Sequence, residues 1–128
     1  QVIDDEIRAI DEAKDKLDDE AFLVNEFYEL ILARGFYSLQ LRHWFDKFPK
    51  NQFFFISSEE FSKNTHYVLR KIFEFLDVPP MQISDLTKQN KRVYPKMKDK
   101  TRDRLIEYFK PHNEELYKML NRRFQWDN

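Results

Sequence analysis

Residues 88–95 are the segment of the chain whose residue types best suit the binding of an anion. Lys88, Lys91 and Arg92 supply three positive charges, and Tyr94 precedes Pro95. Lysine and arginine donate charge-assisted hydrogen bonds to phosphate and sulfate oxygens, and the planar guanidinium can donate two in parallel. Because proline keeps the preceding residue extended, we expect a loop that ends in an aromatic ring. The alternative reading is a run of cations that only faces water.

The charge around this segment differs strongly from the average of the chain. The formal net charge is −1, but residues 88–104 hold eight basic and two acidic residues, whereas residues 1–20 hold nine acidic and three basic ones. A local excess of cations suits a phosphate-bearing or sulfated partner. Nucleic acid ranks last among such partners, because the rest of the chain is acidic and the cationic segment has few aromatic residues.

Composition excludes several other kinds of site. The chain has no cysteine, so it can form no disulfide, thiolate nucleophile or cysteine-bound metal site. His43, His66 and His112 lack the short spacing that places two imidazoles on one helix face, and no metal is assigned. No apolar run approaches the roughly 20 residues that span a bilayer, so we expect no membrane segment in this chain.

Apolar residues recur with helical spacing through most of the sequence and predict a mainly helical domain. Ser57 and Glu60 have capping-box spacing for a short helix, which makes capping a better role for Glu59 and Glu60 than acid–base catalysis, and Asn64 is expected to cap the next helix. The other predicted helices lie at residues 2–18, 20–33, 37–48, 65–76, 101–109 and 112–120, the last two meeting at Pro111, with a loop at 81–100.

One segment is predicted to be a strand instead. Gln52 to Ile56 is a continuous, aromatic-rich apolar run, which is typical of a strand buried on both faces of a parallel sheet. A lone strand cannot satisfy its own backbone donors and acceptors. The chain is therefore expected to be part of a larger α/β domain.

The sequence Arg34-Gly35-Phe36-Tyr37 forms a second candidate site at a predicted helix junction. Gly35 is the only glycine of the chain and favours a helix end or the close approach of a neighbour. In the functional reading, Arg34 and Tyr37 border a ligand cleft. In the structural reading, Tyr37 belongs to the core, where Trp44 is also expected to pack.

The order and separation of these segments resemble the C-terminal half of heparan and chondroitin-type carbohydrate sulfotransferases. The late loop of that family reads Lys, Ser or Thr, Lys, Gly, Arg, any residue, then His or Tyr, and Pro. Lys88, Arg92, Tyr94 and Pro95 match this pattern, whereas Gln89 and Asn90 are polar departures and Lys91 replaces the glycine. The resemblance runs from roughly residue 34 to Trp126 and includes Arg34 to Tyr37, Trp44, Phe48-Pro49, Ser58 to Phe61 and the closing run from Arg104.

The resemblance implies the C-terminal portion of a P-loop-like α/β fold, mostly helical with one buried core strand. Residues 1–33 would be an acidic helical segment and 34–128 the family-like segment of one domain. The family transfers a sulfuryl group from 3′-phosphoadenosine-5′-phosphosulfate to a carbohydrate hydroxyl. Its phosphate cradle and catalytic base are expected upstream of residue 1, so no catalytic residue is assigned and the 128 residues alone are expected to be inactive.

The same resemblance implies roles for individual residues. Arg92 would grip the 3′-phosphate, Lys88 and Lys91 would add positive charge, and Tyr94 would stack on or border the adenosine. The predicted cofactor-binding residues are Lys88, Asn90, Lys91, Arg92, Val93 and Tyr94, and the predicted substrate-binding residues are Arg34 and Tyr37.

Two alternatives remain open. The chain could be a small helical interaction module that docks through its aromatic stripes, which would explain the helices but not the strand. The cysteine-closed hairpin of animal heparan sulfotransferases is absent between Phe75 and Lys88. The chondroitin-type branch and microbial or algal relatives both fit this absence, which leaves Golgi lumen and cytoplasm open.

Overall fold

A computed structural model describes residues 2–17, 19, 30–87 and 92–126 of the chain. The described residues are mainly α-helical, as the sequence predicts, and no helix among them is long and apolar enough to cross a membrane. The α-helices are α1 (Val2–Glu12), α2 (Tyr37–Lys47), α3 (Ser58–Lys63), α4 (Thr65–Leu76) and α5 (Asp99–Leu120), with short 3₁₀ helices at Lys14–Lys16, Ala33–Gly35 and Lys50–Gln52.

The chain divides into two compact units, one of Gln1–Trp44 with Asp99–Asn128 and the other of Phe45–Lys98. The core of the first unit brings α1, the 3₁₀ turn at Ala33–Gly35 and α2 together. Its buried members are Ile10, Ala33, Phe36 and Leu39.

Polar contacts of α1 hold it in the first unit. The carboxylate of Glu6 accepts hydrogen bonds from the backbone amides of Ile31 and Leu32, at 3.2 and 2.9 Å. Asp4 forms an ion pair with Arg104 of α5. The helical stripe predicted at 2–18 therefore corresponds to α1 and the 3₁₀ turn that follows, whereas most of the helix predicted at 20–33 lies outside the described residues.

Gly35 lies at a point of close approach, which confirms one of the two roles predicted for it. A Cβ atom at this position would lie 2.7 Å from Cε1 of Phe109, well inside contact distance. The ring of Phe109 also packs against Phe36, with centroids 5.5 Å apart. The absence of a side chain thus lets α5 approach the turn before α2.

The two helical segments predicted to meet at Pro111, in a kink or in a first turn, form one continuous helix, α5, with Pro111 in its interior. Proline removes one backbone hydrogen bond and normally kinks or ends a helix. Here Phe36 contacts rings on both sides of the proline, at 5.5 Å from Phe109 and 4.0 Å from His112. Packing on both flanks offsets the local cost and keeps one helix.

The second unit is built on aromatic contacts and two consecutive helices. Ser57 caps α3 as predicted, since its Oγ accepts a hydrogen bond of 3.1 Å from the amide of Glu60. Asn64 occupies the N-cap position of α4, but its side chain makes no capping hydrogen bond. Helix α4 ends at Leu76 and is followed by the C-cap residue Asp77, whose φ of 53° lies in the left-handed region.

The strand predicted at 52–56 is not confirmed, because no residue of the described part is in a β-strand. Phe53 is extended, with φ −113° and ψ 135°, and the side chains alternate as in a strand. Phe53 and Phe55 stack with their rings 6.0 Å apart, while Phe54 packs against Phe75 at 5.3 Å. A strand needs a neighbour to hydrogen-bond with, and the described chain supplies none, so Phe54 stays 38% exposed instead of buried.

Trp44 also departs from its prediction. Its side chain is 54% exposed, whereas the helical spacing predicts that it packs in the core. Leu39 and Phe36 occupy the core positions near this helix instead.

Candidate functional site

The predicted anion-binding loop is described only in its second half. Lys88, Asn90 and Lys91 lie outside the described residues. Residues 92–98 form neither helix nor strand, which agrees with the predicted loop. Arg92 is exposed, as are Val93 at 96% and Tyr94 at 73%. These side chains are accessible to a ligand, and their binding roles stay predictions.

The helix junction places its two predicted substrate-binding residues at the surface. The backbone carbonyl of Arg34 accepts a 3.0 Å hydrogen bond from Nε2 of Gln40, and its side chain is exposed. Tyr37 is 47% exposed and its ring lies 5.8 Å from that of Trp126. The structural reading of Tyr37 as a core residue is therefore wrong, because it opens α2 at the edge of the first unit.

Phe124 and Trp126, which follow α5, add aromatic rings beside Tyr37. Phe124 and Trp126 stack with centroids 4.5 Å apart, and the hydroxyl of Tyr117 donates a 3.2 Å hydrogen bond to the carbonyl of Phe124. Tyr117 is buried, so it anchors the segment after α5 against the helix. Tyr37 thus borders an ordered aromatic cluster.

A cavity of about 610 Å³ lies within the first unit, between α1, α2 and α5. Its lining includes three rings, those of Phe36, Tyr108 and His112. The rings contact one another, with Phe36 at 4.0 Å from His112 and 6.1 Å from Tyr108. This size falls within the range of about 300–1,000 Å³ typical of small-molecule sites.

Polar side chains lie beside these rings and are already organised. Glu115 accepts a 3.1 Å hydrogen bond from the Oγ of Ser38 and forms an ion pair with Arg42. Ser38 is only 1% exposed, so this hydrogen bond satisfies a buried hydroxyl. Lys14 pairs with Asp11 at 2.8 Å on the α1 side of the cavity.

Burial sets the protonation states inside the cavity. Desolvation lowers the pKa of His112, with smaller contributions from the cations Lys14 and Arg42, and outweighs the opposing effect of Glu115. Desolvation, with a contribution from Asp11, raises the pKa of Tyr108 to about 12. At neutral pH the site therefore presents a neutral imidazole, with one donor and one acceptor, and a protonated phenol.

The cavity was not predicted from the sequence, although the sequence contains two residue pairs with helical spacing among its lining residues. Ser38 and Arg42 are four residues apart and His112 and Glu115 three apart, so each pair shares one helix face. Which faces meet across α2 and α5 depends on packing, and the spacing alone does not reveal it. The sequence therefore gave no reason to join the two pairs.

Comparison with known proteins identifies the family. The profile of the family described as "Sulfotransferase domain" matches residues 8–123. The chain is 35% identical over 98 residues to the "Membrane-associated sulfotransferase kil1" of Dictyostelium discoideum, covering 77% of this chain and 21% of that protein. It is 31% identical over 98 residues to "Carbohydrate sulfotransferase 15" of Nototodarus sloanii, covering 68% of this chain and 62% of that protein.

A third relative has a lower sequence identity but still aligns with most of this chain. The human "Bifunctional heparan sulfate N-deacetylase/N-sulfotransferase 2" is 26% identical over 114 residues, which cover 71% of this chain and 13% of that protein. The chain thus spans only part of the length of these relatives, and no solved structure matches it significantly. Since the family profile covers most of the sequence, the chain belongs to the sulfotransferase domain family.

Proposed function

We propose that the protein transfers a sulfuryl group from 3′-phosphoadenosine-5′-phosphosulfate to a hydroxyl of a carbohydrate acceptor. The observation that carries this proposal is the family match over residues 8–123, which includes the cationic loop and the whole of α5. The names of two relatives, a carbohydrate sulfotransferase and a heparan sulfate N-sulfotransferase, support a sugar acceptor.

In this proposal the loop at 88–95 covers the nucleotide. Arg92 donates paired hydrogen bonds to the 3′-phosphate, and Lys88 and Lys91 add charge where the leaving phosphate grows more negative. Tyr94 stacks on the adenosine. The exposure of Arg92 and Tyr94 supports this role, because both side chains can reach a ligand without unpacking a core.

Asn90 and Val93 complete the proposed nucleotide contacts. The Asn90 amide can donate to and accept from polar atoms of the nucleotide. Val93, at 96% exposure, offers an apolar surface that a bound base would shield from water.

Arg34 and Tyr37 are proposed to border the acceptor. Both side chains are exposed, and Tyr37 adjoins the aromatic cluster that contains Trp126. Aromatic faces pack against the C–H groups of a sugar, and the guanidinium of Arg34 suits an acidic group on the glycan.

The phosphate cradle is proposed to belong to a preceding part of the same domain. A cradle of backbone amides requires a glycine-rich loop, and Gly35 is the only glycine of this chain. Gly35 already faces the ring of Phe109. We therefore propose that this chain supplies the late loop and closing helices of the domain, and that a catalytic base lies elsewhere.

Titration with adenosine 3′,5′-bisphosphate tests the nucleotide role, using the protein that contains the complete domain. Arg92→Ala should weaken binding about tenfold or more, because a hydrogen bond to a charged group contributes about 1.5–3 kcal/mol. Arg8→Ala is the matched control, since Arg8 is an exposed arginine on α1. Equal affinity of Arg92→Ala and the unmodified protein in calorimetry would remove Arg92 from the site.

A further inference from the structure

Glu115 links α5 to α2 within the first unit. One of its carboxylate oxygens accepts a 3.1 Å hydrogen bond from the Oγ of Ser38, and the other pairs with Arg42. Ser38 and Arg42 are four residues apart on one face of α2, whereas Glu115 lies 77 and 73 positions further along the chain. A single side chain of α5 therefore holds the first two turns of α2.

The burial of Ser38 makes this contact specific. Ser38 is 1% exposed, so a shift or rotation of α2 would leave its hydroxyl without a hydrogen-bond partner. An unsatisfied buried group costs more than a made hydrogen bond contributes. Arg42 lies at the exposed end of the contact, with 52% of its side chain accessible. Two attachment points on one face fix the rotation of α2 about its axis as well as its position.

The rotation of α2 sets the direction of Tyr37, which precedes Ser38 and opens the helix. Successive residues of an α-helix point about 100° apart, so a fixed Ser38 also fixes where the Tyr37 ring leaves the helix. Tyr37 is itself 47% exposed and is not held by burial. The carbonyl of Arg34 is tied to the same helix through Nε2 of Gln40, at 3.0 Å.

The same part of α5 also holds the ring that faces Tyr37. Trp126 lies 5.8 Å from Tyr37 and 6.3 Å from Tyr117, measured between ring centroids. Tyr117 follows Glu115 by two residues, and its hydroxyl donates a 3.2 Å hydrogen bond to the carbonyl of Phe124. One turn of α5 thus holds α2 and the segment after α5, and the rings of Tyr37 and Trp126 meet between them.

We infer that Glu115 is a positioning residue, which through Ser38 and Arg42 sets the direction in which Tyr37 faces the acceptor. The inference rests on the proposed function for the role of Tyr37. Both carboxylate oxygens of Glu115 are engaged by α2, so its effect on the acceptor is exerted through that helix. The residues proposed to bind the nucleotide lie in the other unit, and loss of the carboxylate leaves them unchanged.

Steady-state kinetics of the protein that contains the complete domain test this role, with labelled sulfate donor and with chondroitin and heparan oligosaccharides as acceptors. Glu115→Gln should raise the acceptor KM about tenfold, because the amide keeps one accepting oxygen but loses the charge. The kcat and the affinity for adenosine 3′,5′-bisphosphate should stay unchanged, a pattern that indicates lost acceptor binding alone. Asp103→Asn, which neutralises an exposed acid of α5, is the matched control and should leave all three values unchanged.

Arg42→Gln breaks the same contact from the side of α2. Its side chain is exposed, so the change is compatible with folding. It should raise the acceptor KM about two- to fivefold, the effect of losing an exposed ion pair. The double variant with Glu115→Gln should bind the acceptor no more weakly than Glu115→Gln alone, because both changes remove one shared contact.

Nuclear Overhauser effects in the same protein test the geometry without an acceptor. Cross-peaks between the ring protons of Tyr37 and Trp126 should weaken in Glu115→Gln and persist in Asp103→Asn. Unchanged cross-peaks, an unchanged acceptor KM, or a fall in kcat or nucleotide affinity as large as the rise in KM would overturn the role of Glu115. Failure of the unmodified protein to sulfate either acceptor would overturn the proposed function itself, so the two failures are distinguishable.

Discussion

At the scale of single residues, His112 shows how packing decides the chemistry of a side chain. Its ring lies 4.0 Å from that of Phe36 and within reach of the charges of Glu115, Lys14 and Arg42. Removal of water disfavours the imidazolium, and the two cations act in the same direction. The pKa of His112 is therefore lower than the ordinary value of 6.5.

This shift predicts a loss of stability on acidification. The unfolded chain takes up a proton near pH 6.5, whereas the folded chain resists doing so until a lower pH. The unfolded state therefore binds more protons in this window, and the free energy of unfolding falls as the pH drops from about 7.5 towards 5.5. Urea titrations across this range should show a smaller decrease for His112→Gln than for the unmodified chain.

His66→Gln provides the control for this measurement, because His66 is exposed on α4. This variant shows whether the loss of a histidine that is not buried changes the slope. A His112→Gln variant with the same slope as the unmodified chain would show that burial of this imidazole does not contribute to acid sensitivity.

Gly35 shows what the sequence can predict at this scale. A lone glycine beside a helix indicates either a helix end or a close neighbour, and the structure places the Phe109 ring where a Cβ would be. The sequence did not identify Phe109 as that neighbour, because the two residues are brought together only by the packing of α5.

At the scale of elements, the capping box before α3 is a local signal that the structure confirms. Ser57 is extended, with φ −86° and ψ 154°, and accepts the amide hydrogen bond of Glu60. Ser57→Ala should lower the stability of this helix by about 1 kcal/mol, the usual cost of losing such a cap. Amide hydrogen exchange at Glu60 measures the effect directly.

Ser62→Ala is the matched control, since Ser62 lies exposed inside α3. Alanine favours a helix interior more than serine does, so this change should slow exchange or leave it unchanged. Faster exchange in Ser62→Ala than in Ser57→Ala would contradict a capping role for Ser57.

The segment 52–56 and Pro111 mark the limit of local signals. The aromatic run produces the side-chain alternation of a strand, but a ladder requires a second strand and the described chain has none. Pro111 predicts a kink or a new first turn, yet α5 runs through it as one helix, and Phe36 contacts rings on both of its flanks. In both cases a contact with another segment, or its absence, decided the outcome.

At the scale of the whole molecule, the candidate residues are distributed over two units. Arg34, Tyr37 and the cavity belong to the first unit, and Arg92 and Tyr94 to the second. The family profile spans both, from residue 8 to residue 123. The proposed nucleotide and sugar contacts therefore use separate parts of the chain.

The 128-residue chain alone is expected to transfer no sulfate. Sulfuryl transfer needs a phosphate cradle, and such a cradle is rich in glycine. Gly35, the only glycine of this chain, instead packs against Phe109 of α5. Incubation with labelled donor and carbohydrate acceptors should give no labelled product. A protein that contains the complete domain serves as the positive control, and turnover by the 128 residues would contradict the proposed division of the domain.

The sequence by itself determined the helices with clear apolar periodicity, the Ser57 cap and the family, because each depends on residues near one another in the chain or on their order. Only the tertiary structure brought Ser38 and Arg42 to Glu115, moved Tyr37 and Trp44 out of the core, and formed the cavity lined by Phe36 and His112. Periodicity shows which face of a helix is apolar, but it does not show which other helix that face will meet. That choice depends on side-chain packing between residues more than 70 positions apart, such as Ser38 and Glu115 at a separation of 77.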